Sequence, residues 1–202
     1  MSLRWSDLNA AAENHSPAAI APPGAARLCA LPQHAVLEVS GADAQSFLQG
    51  QLTCDVQAMV AGKLGCGAYC SPKGRMLASF LIWRGASQGE SEVFHLLLPA
   101  SLAEPIRKRL TMFVLRAKVS IRIAQTPLLG CIGITAPAAS IAESTYTTHP
   151  WQGRSHAVTG LGQWLSLRIG DGLQRHYLLA ESEAAVDAWL ATQSLHLSLI
   201  HI

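Results

Sequence analysis

Charge is what this chain has least of. Only 14% of its residues are Asp, Glu, Lys or Arg, and the formal net charge is +2. So balanced a composition leaves no electrostatic footprint for wrapping DNA or RNA, and a nucleic-acid role would have to be indirect or rest on a local patch. No run of about 18 or more apolar residues occurs, so no membrane-spanning helix is expected. Near the start, Pro17, Pro22 and Pro23 interrupt any apolar segment and only Arg4 supplies positive charge, unlike a secretory signal. The five cysteines are odd in number and irregularly spaced, which fits reduced thiols in a cytosolic protein better than a disulfide framework. There is no phosphate-binding Walker loop, no GxGxxG, no HExxH and no paired CxxC.

What is present is apolar. Half of the 202 residues are hydrophobic, enough for one large or two small packed domains. Residues 1–27 are rich in Ala, Pro and small polar types, without helical or strand periodicity beyond a short piece at residues 3–9, and read as a flexible leader; the folded region is expected over 28–202. A compact apolar run at 35–40 predicts a strand with Leu37 and Val39 inward and Glu38 on the other side. Asp43 is placed to cap a helix running to about Leu52, with Ala44, Phe47, Leu48 and Leu52 on one face. Gly62 and Gly65 should break the following segment. Residues 67–71 and 75–84 predict a hairpin around Pro72, Lys73 and Gly74. A strand over 92–99 precedes a helix capped by Ser101, with Leu102, Ile106, Leu110 and Phe113 on one face. Strands follow at 118–123 and 128–135, then an irregular excursion around Pro150 and Trp151. A second hairpin turns at Gly170, Asp171 and Gly172, and a helix over 181–192 has Ala185, Val186 and Trp189 inward. Helices and hairpins mix without strict alternation, so the expected class is α+β, with mixed or antiparallel sheets and packed helices.

The densest set of chemistry-bearing residues lies in residues 47–84: Asp55, Cys66, Tyr69, Cys70, Lys73 and Arg75. Cys66 and Cys70, four apart on a strand, would sit ~13 Å apart, too far for one metal ion or a disulfide. They read as small buried hydrophobes. The eight histidines show no ligand spacing. Asp55 after a helix end is ordinarily a turn-former. Lys73 and Arg75, close together around a hairpin tip, could meet a carboxylate-bearing ligand, although a lysine at such a tip is usually just solvated.

Three segments in order carry a resemblance to a known family. They are VSGADAQSFLQGQLTCDV at 39–56, GAYCSPKGRMLASFLIWR at 67–84 and LTMFVLRAKVSI at 110–121. Together they resemble the YgfZ family of folate-binding proteins, in the superfamily of the glycine-cleavage T-protein, an aminomethyltransferase. The likeness covers residues 28–135 well and 162–192 more loosely. It implies the N-terminal part of an aminomethyltransferase-like fold, α+β modules around a cavity for tetrahydrofolate. It further implies a cytoplasmic role supporting iron–sulfur cluster assembly or repair, and tRNA modification through iron–sulfur enzymes. Iron–sulfur enzymes would be the protein partners, with no direct nucleic-acid contact and no membrane. By the same match Asp55, Tyr69, Lys73 and Arg75 would face the folate, with no catalytic residue and no metal ligand among them.

Two departures from the family matter. The T-protein carries acidic residues shortly after the hairpin turn, whereas this chain has Met76, Leu77, Ala78 and Ser79 there. Without such a carboxylate, aminomethyl transfer loses its general acid/base partner, so T-protein activity is not expected. The family's downstream KGCYxGQE segment, with its candidate reactive cysteine, is absent, and none of the five cysteines here sits in such a context. The ending SLHLSLIHI resembles non-native read-through, so the chain is expected to be an N-terminal fragment of a longer protein. The readings left beside the accessory protein are a folate-dependent aminomethyltransferase and a non-catalytic scaffold docking iron–sulfur or tRNA-modifying partners.

Overall fold

A computed structural model describes residues 4–13, 27–85, 91–132, 153–169, 173–192 and 198–199. These fall into two compact units, Gln33–Gln125 and a discontinuous one of Met1–Pro32 with Thr126–Ile202.

The contiguous unit contains β2 (His34–Gly41), α2 (Ala44–Gln49), β3 (Lys63–Cys70), β4 (Met76–Arg84), β5 (Glu92–Pro99), α3 (Ala100–Thr111) and β6 (Ser120–Ile123). Its strands lie in the order β6-β2-β5-β4-β3, each pair antiparallel. Period-two alternation decides which face is dry. Leu37 and Val39 of β2, Ala78, Phe80 and Ile82 of β4, and Phe94, Leu96 and Leu98 of β5 share one face. They pack with Ala44, Phe47 and Leu48 of α2 and Ala103, Ile106 and Leu110 of α3. Each Leu, Ile, Val or Phe among them, once fully buried, contributes about 1.5–3 kcal/mol of transfer free energy. Glu38 points to the opposite face, as its place between Leu37 and Val39 predicts.

The discontinuous unit contains α1 (Trp5–Glu13), β1 (Arg27–Ala30), β7 (Leu128–Ile132), β8 (Gly153–Val158), β9 (Gly162–Ile169), β10 (Leu173–Ala180), α4 (Glu183–Thr192) and β11 (Ser198–Leu199). The strand order is β11-β1-β7-β10-β9-β8, antiparallel except for the short β1–β11 pair. Its core joins Leu8 of α1 to Leu28, Leu129, Trp164, Leu178, Val186, Trp189 and Leu190. Ser182 caps α4, its hydroxyl accepting the Ala185 N–H at 3.1 Å.

Antiparallel sheet dominates both units and helices are few, so the α+β class holds only in this coarse sense. Several local expectations are corrected. β3 begins at Lys63 and runs through Gly65, because pairing with Ile82 of β4 outweighs the propensity of one glycine. α2 stops at Gln49, before Leu52. Helix α3 follows Pro99 with no side-chain cap from Ser101. Phe113 lies beyond its end and is 45% exposed. The excursion around Pro150 and Trp151, the turn at Gly170, Asp171 and Gly172, and residues 133–135 of the strand expected over 128–135 lie outside the described residues.

Asp43 also departs from expectation. It precedes α2 but makes no side-chain cap. Its Oδ2 instead accepts the Lys118 N–H at 2.7 Å, fastening the chain after α3 to the end of β2. A charge-assisted bond to backbone is worth about 1.5–3 kcal/mol. Asp43→Ala should therefore destabilise the protein by about 2 kcal/mol, whereas Asp43→Asn, which keeps an acceptor oxygen, should cost about half as much. Urea unfolding of both variants checks this.

Candidate functional site

The sequence-predicted residues cluster on one supersecondary unit, the β3–β4 hairpin and the loop that follows α2. Helix α2 presents Gln45 and Gln49 one turn apart, and both reach that loop. Gln49 Oε1 accepts the N–H groups of Val56 at 2.6 Å and Gln57 at 3.0 Å. Gln45 Nε2 donates to the carbonyls of the same two residues at 3.4 and 3.5 Å. On its other side the loop is tied to β3: Thr53 N–H donates to the Ala68 carbonyl at 3.0 Å, and the Ala68 N–H returns to Thr53 Oγ1 at 2.9 Å. Leu52 and Tyr69 close the contact as a bridge pair.

This clamp holds the Asp55 loop along β3, running from Leu52 opposite Tyr69 to Cys54 at Gly67 and so away from the hairpin tip. The Asp55 side chain is exposed, and its Oδ1 accepts the Ala58 N–H at 3.1 Å, the turn-forming role its position predicts. Tyr69 is 3% exposed and belongs to the core cluster beneath the sheet. The β3–β4 register shifts between Tyr69 and Cys70, where the hairpin leaves regular pairing. At its tip Ser71 N–H donates to the Arg75 carbonyl at 2.8 Å, and Ser71 Oγ accepts the Arg75 N–H at 3.2 Å. Gly74, at φ +74°, closes the turn with its N–H on the Ser71 carbonyl at 2.8 Å. Lys73 and Arg75 are thus exposed cations on a defined turn, with no ion pair among the described residues. Asp55 shares the unit with them, while Tyr69 lies below it.

Past the tip, Ala78 is buried in the core and Ser79 is exposed. Neither can transfer a proton to a bound nitrogen as a carboxyl group would. The neighbouring thiols are poor nucleophiles. Burial pushes Cys54 up, reinforced by Asp55 and Cys66; Cys66 is exposed, not the buried hydrophobe its sequence suggests, and only partial desolvation raises it. Cys54 packs so closely under β3 that a Cβ on Gly67 would lie 2.7 Å from its Sγ. In the discontinuous unit, burial holds Cys29 at about 11 and Cys131 well above the ordinary thiol range. Among the described residues no group of three or more His, Cys, Asp and Glu has the makings of a metal site.

Curated relatives are similar to this chain over much of its length. A tRNA-modifying protein YgfZ of Colwellia psychrerythraea is 31% identical over 163 residues, covering 80% of this chain and 47% of the relative. That of Vibrio vulnificus is 30% identical over 162 residues, covering 79% and 46%. Over the stretch they share, the chain belongs to the YgfZ family. An uncharacterized protein of Haemophilus influenzae is 35% identical over 103 residues, covering 51% of this chain and 35% of the relative. The chain thus spans less than half the length of these relatives. No protein-family model matches it. In fold it is similar to the glycine cleavage system aminomethyltransferase T from Bartonella henselae, with TM-score 0.62 at 17% identity, over 92% of this chain and 49% of that one.

Within this YgfZ-family chain, sequence reasoning missed a charged row on the other face of the same sheet. Cross-strand register aligns Arg122 of β6, Glu38 of β2, His95 of β5 and Trp83 of β4. Arg122 donates to both Glu38 oxygens at 2.9 and 2.8 Å, and His95 Nε2 lies 3.8 Å from Glu38 Oε2. The His95 ring stacks on Trp83 at 5.1 Å between centroids. Burial holds the imidazole below its usual range, with Glu38 opposing and Arg122 reinforcing. Period-two placement of Glu38 and His95 on outward positions was the available signal, but pairing across distant strands is not written in either segment.

Proposed function

We propose that this chain is part of a tetrahydrofolate-binding accessory protein of the YgfZ type, which supports iron–sulfur cluster assembly or repair and tRNA modification in the cytoplasm. The observation that carries the reading is the clamped hairpin wall: it presents Lys73 and Arg75 exposed at a defined turn, with no ion pair among the described residues, and Asp55 exposed on the loop held along β3. Two of the three YgfZ-like segments, 39–56 and 67–84, supply it, while the third, 110–121, runs from the end of α3 into β6 of the same unit. The relatives named tRNA-modifying proteins support the process, and the likeness to an aminomethyltransferase fold supports the ligand class.

The residues fit the chemistry of a folate. Its glutamyl carboxylates call for cations, which Lys73 and Arg75 supply, Arg75 with a fork suited to a carboxylate. Its pterin presents N–H donors, and Asp55 keeps an exposed carboxylate to accept them. Tyr69, in the core, supports the strand that carries this wall. Bound tetrahydrofolate would supply a carrier of one-carbon units on its nitrogens. The chain's own contribution is to bind and orient that carrier, because Ala78 and Ser79 offer no acid or base to move the unit on.

Calorimetric titration with tetrahydrofolate tests the reading. Saturable binding is expected, weakened about tenfold in each of Lys73→Ala and Arg75→Ala, since one charge-assisted hydrogen bond is worth about 1.5–3 kcal/mol. Unchanged affinity in both variants removes the hairpin from the site. No saturable binding at all favours a scaffold, and turnover of an aminomethyl donor favours a transferase.

A further inference from the structure

A rigid apolar knuckle stands on the contiguous unit, just past the end of α3. Met112 is 72% exposed, Phe113 45% and Leu115 88%, three large apolar side chains within four residues. Single exposed hydrophobics are ordinary, but a cluster of this kind marks an interaction site. The segment is no loose loop. Successive turn bonds hold it, from Met112 N–H to Lys108, Phe113 N–H to Leu110, Val114 N–H to Thr111 and Ala117 N–H to Val114. Val114 and Val119 pack on the core, and the Lys118 N–H is tied to Asp43 at 2.7 Å.

Within this held segment Leu115 adopts φ +47°, where it is the sole non-glycine at positive φ among the described residues. That conformation is costly for a residue with a branched side chain. A buried leucine would recover the cost by packing, yet this one is almost wholly solvated. Neither stability nor local preference accounts for a leucine there, whereas presentation to a partner does. Around it Arg109, Arg116 and Lys118 are exposed, with no ion pair among the described residues.

We propose that residues 112–118 are a docking knuckle for a protein partner whose surface offers an apolar pocket rimmed by carboxylates. Charge complementarity sets the rim, since Arg109, Arg116 and Lys118 are exposed within six residues of Leu115 and make no ion pair among the described residues. Two of the three apolar side chains are aliphatic and have no flat face to stack on a nucleobase, which disfavours single-stranded RNA. A fluid bilayer gains nothing from a strained, fixed presentation, whereas a shaped pocket does. Leu115 is the anchor that enters the pocket, and Arg116 is the nearest of the cations to it in sequence.

Fluorescence anisotropy tests this, with a labelled peptide in which Leu and Phe alternate with Asp and Glu. Saturable, salt-sensitive binding is expected, weakened about tenfold or more in Leu115→Gly and in Arg116→Glu. Glycine takes positive φ freely, so Leu115→Gly should hold or raise Tm while it loses the peptide. Absence of saturable binding, equal binding of a peptide with Lys in place of Asp and Glu, or unchanged affinity in Leu115→Gly overturns the proposal. So does tighter binding to single-stranded RNA or to phosphatidylserine vesicles, or a fall in Tm of Leu115→Gly that parallels the lost affinity.

Discussion

Gly41→Ala is expected to lower the unfolding free energy by about 4 kcal/mol, adding backbone strain to a clash that cannot relax. Gly41 ends β2 at φ +138°, a conformation that side-chain-bearing residues rarely adopt. A Cβ there would lie 1.9 Å from the Lys118 carbonyl oxygen, 2.9 Å from its carbon and 3.1 Å from Val119 Cα. All three atoms are backbone, so no rotamer change makes room. The obstructing residues are those fastened by Asp43, whose N–H also meets the Lys118 carbonyl at 3.4 Å. Relief would mean withdrawing the chain after α3 from the end of β2. Gly74 provides the comparison, since it has φ +74° but nothing within 4 Å of its would-be Cβ. Gly74→Ala should lose only about 1–2 kcal/mol, from conformation alone. Denaturant unfolding of the two variants should separate steric from conformational cost, and equal losses would contradict the account.

Acid should remove up to about 3 kcal/mol of stability through one buried imidazole. His176 of β10 is 4% exposed, inside the discontinuous unit. Its Nδ1 receives the Trp164 indole N–H at 3.2 Å and lies 2.9 Å from Ser166 Oγ. An indole N–H can only donate, so Nδ1 is an acceptor and the ring proton is assigned to Nε2. A second proton on Nδ1 would face that N–H. Burial, with His156 adding to it, lowers the imidazole from 6.5 to about 4. The unfolded chain therefore binds the proton more readily, and the stabilisation is complete above pH 6.5. It falls away as pH drops from 6.5 to about 4 and changes no further below that. His34, His95 and His156 are lowered by burial too and act in the same direction. Urea midpoints measured across this range should fall with pH, and His176→Phe should remove the largest share of the slope whatever it does to stability near neutrality. A slope unchanged in that variant would contradict the assignment.

What could be read from the sequence follows the range of the interactions involved. The β3–β4 hairpin was legible because Ser71, Pro72, Lys73 and Gly74 encode their turn locally, and the strand over 92–99 because its apolar run is bounded. Asp43 was misread because a carboxylate before a helix looks the same whether it caps that helix or reaches Lys118, 75 residues away. Phe113 was misplaced by extending a helical period past the helix. The two units were not separable because one of them is built from both ends of the chain, so no local change of composition marks its border. At the candidate site, Asp55, Lys73 and Arg75 stood out by residue type. The clamp from Gln45 and Gln49 that holds the Asp55 loop along β3 depends on a loop conformation the sequence does not display.

Tetrahydrofolate, in the function proposed, binds against the hairpin wall. Amide chemical shifts of the labelled protein, followed during titration with tetrahydrofolate, test it residue by residue. Saturable shifts are expected at Asp55 and at Lys73, Gly74 and Arg75, with the Leu115 knuckle unaffected. Saturable shifts confined to other residues, or none, would contradict it.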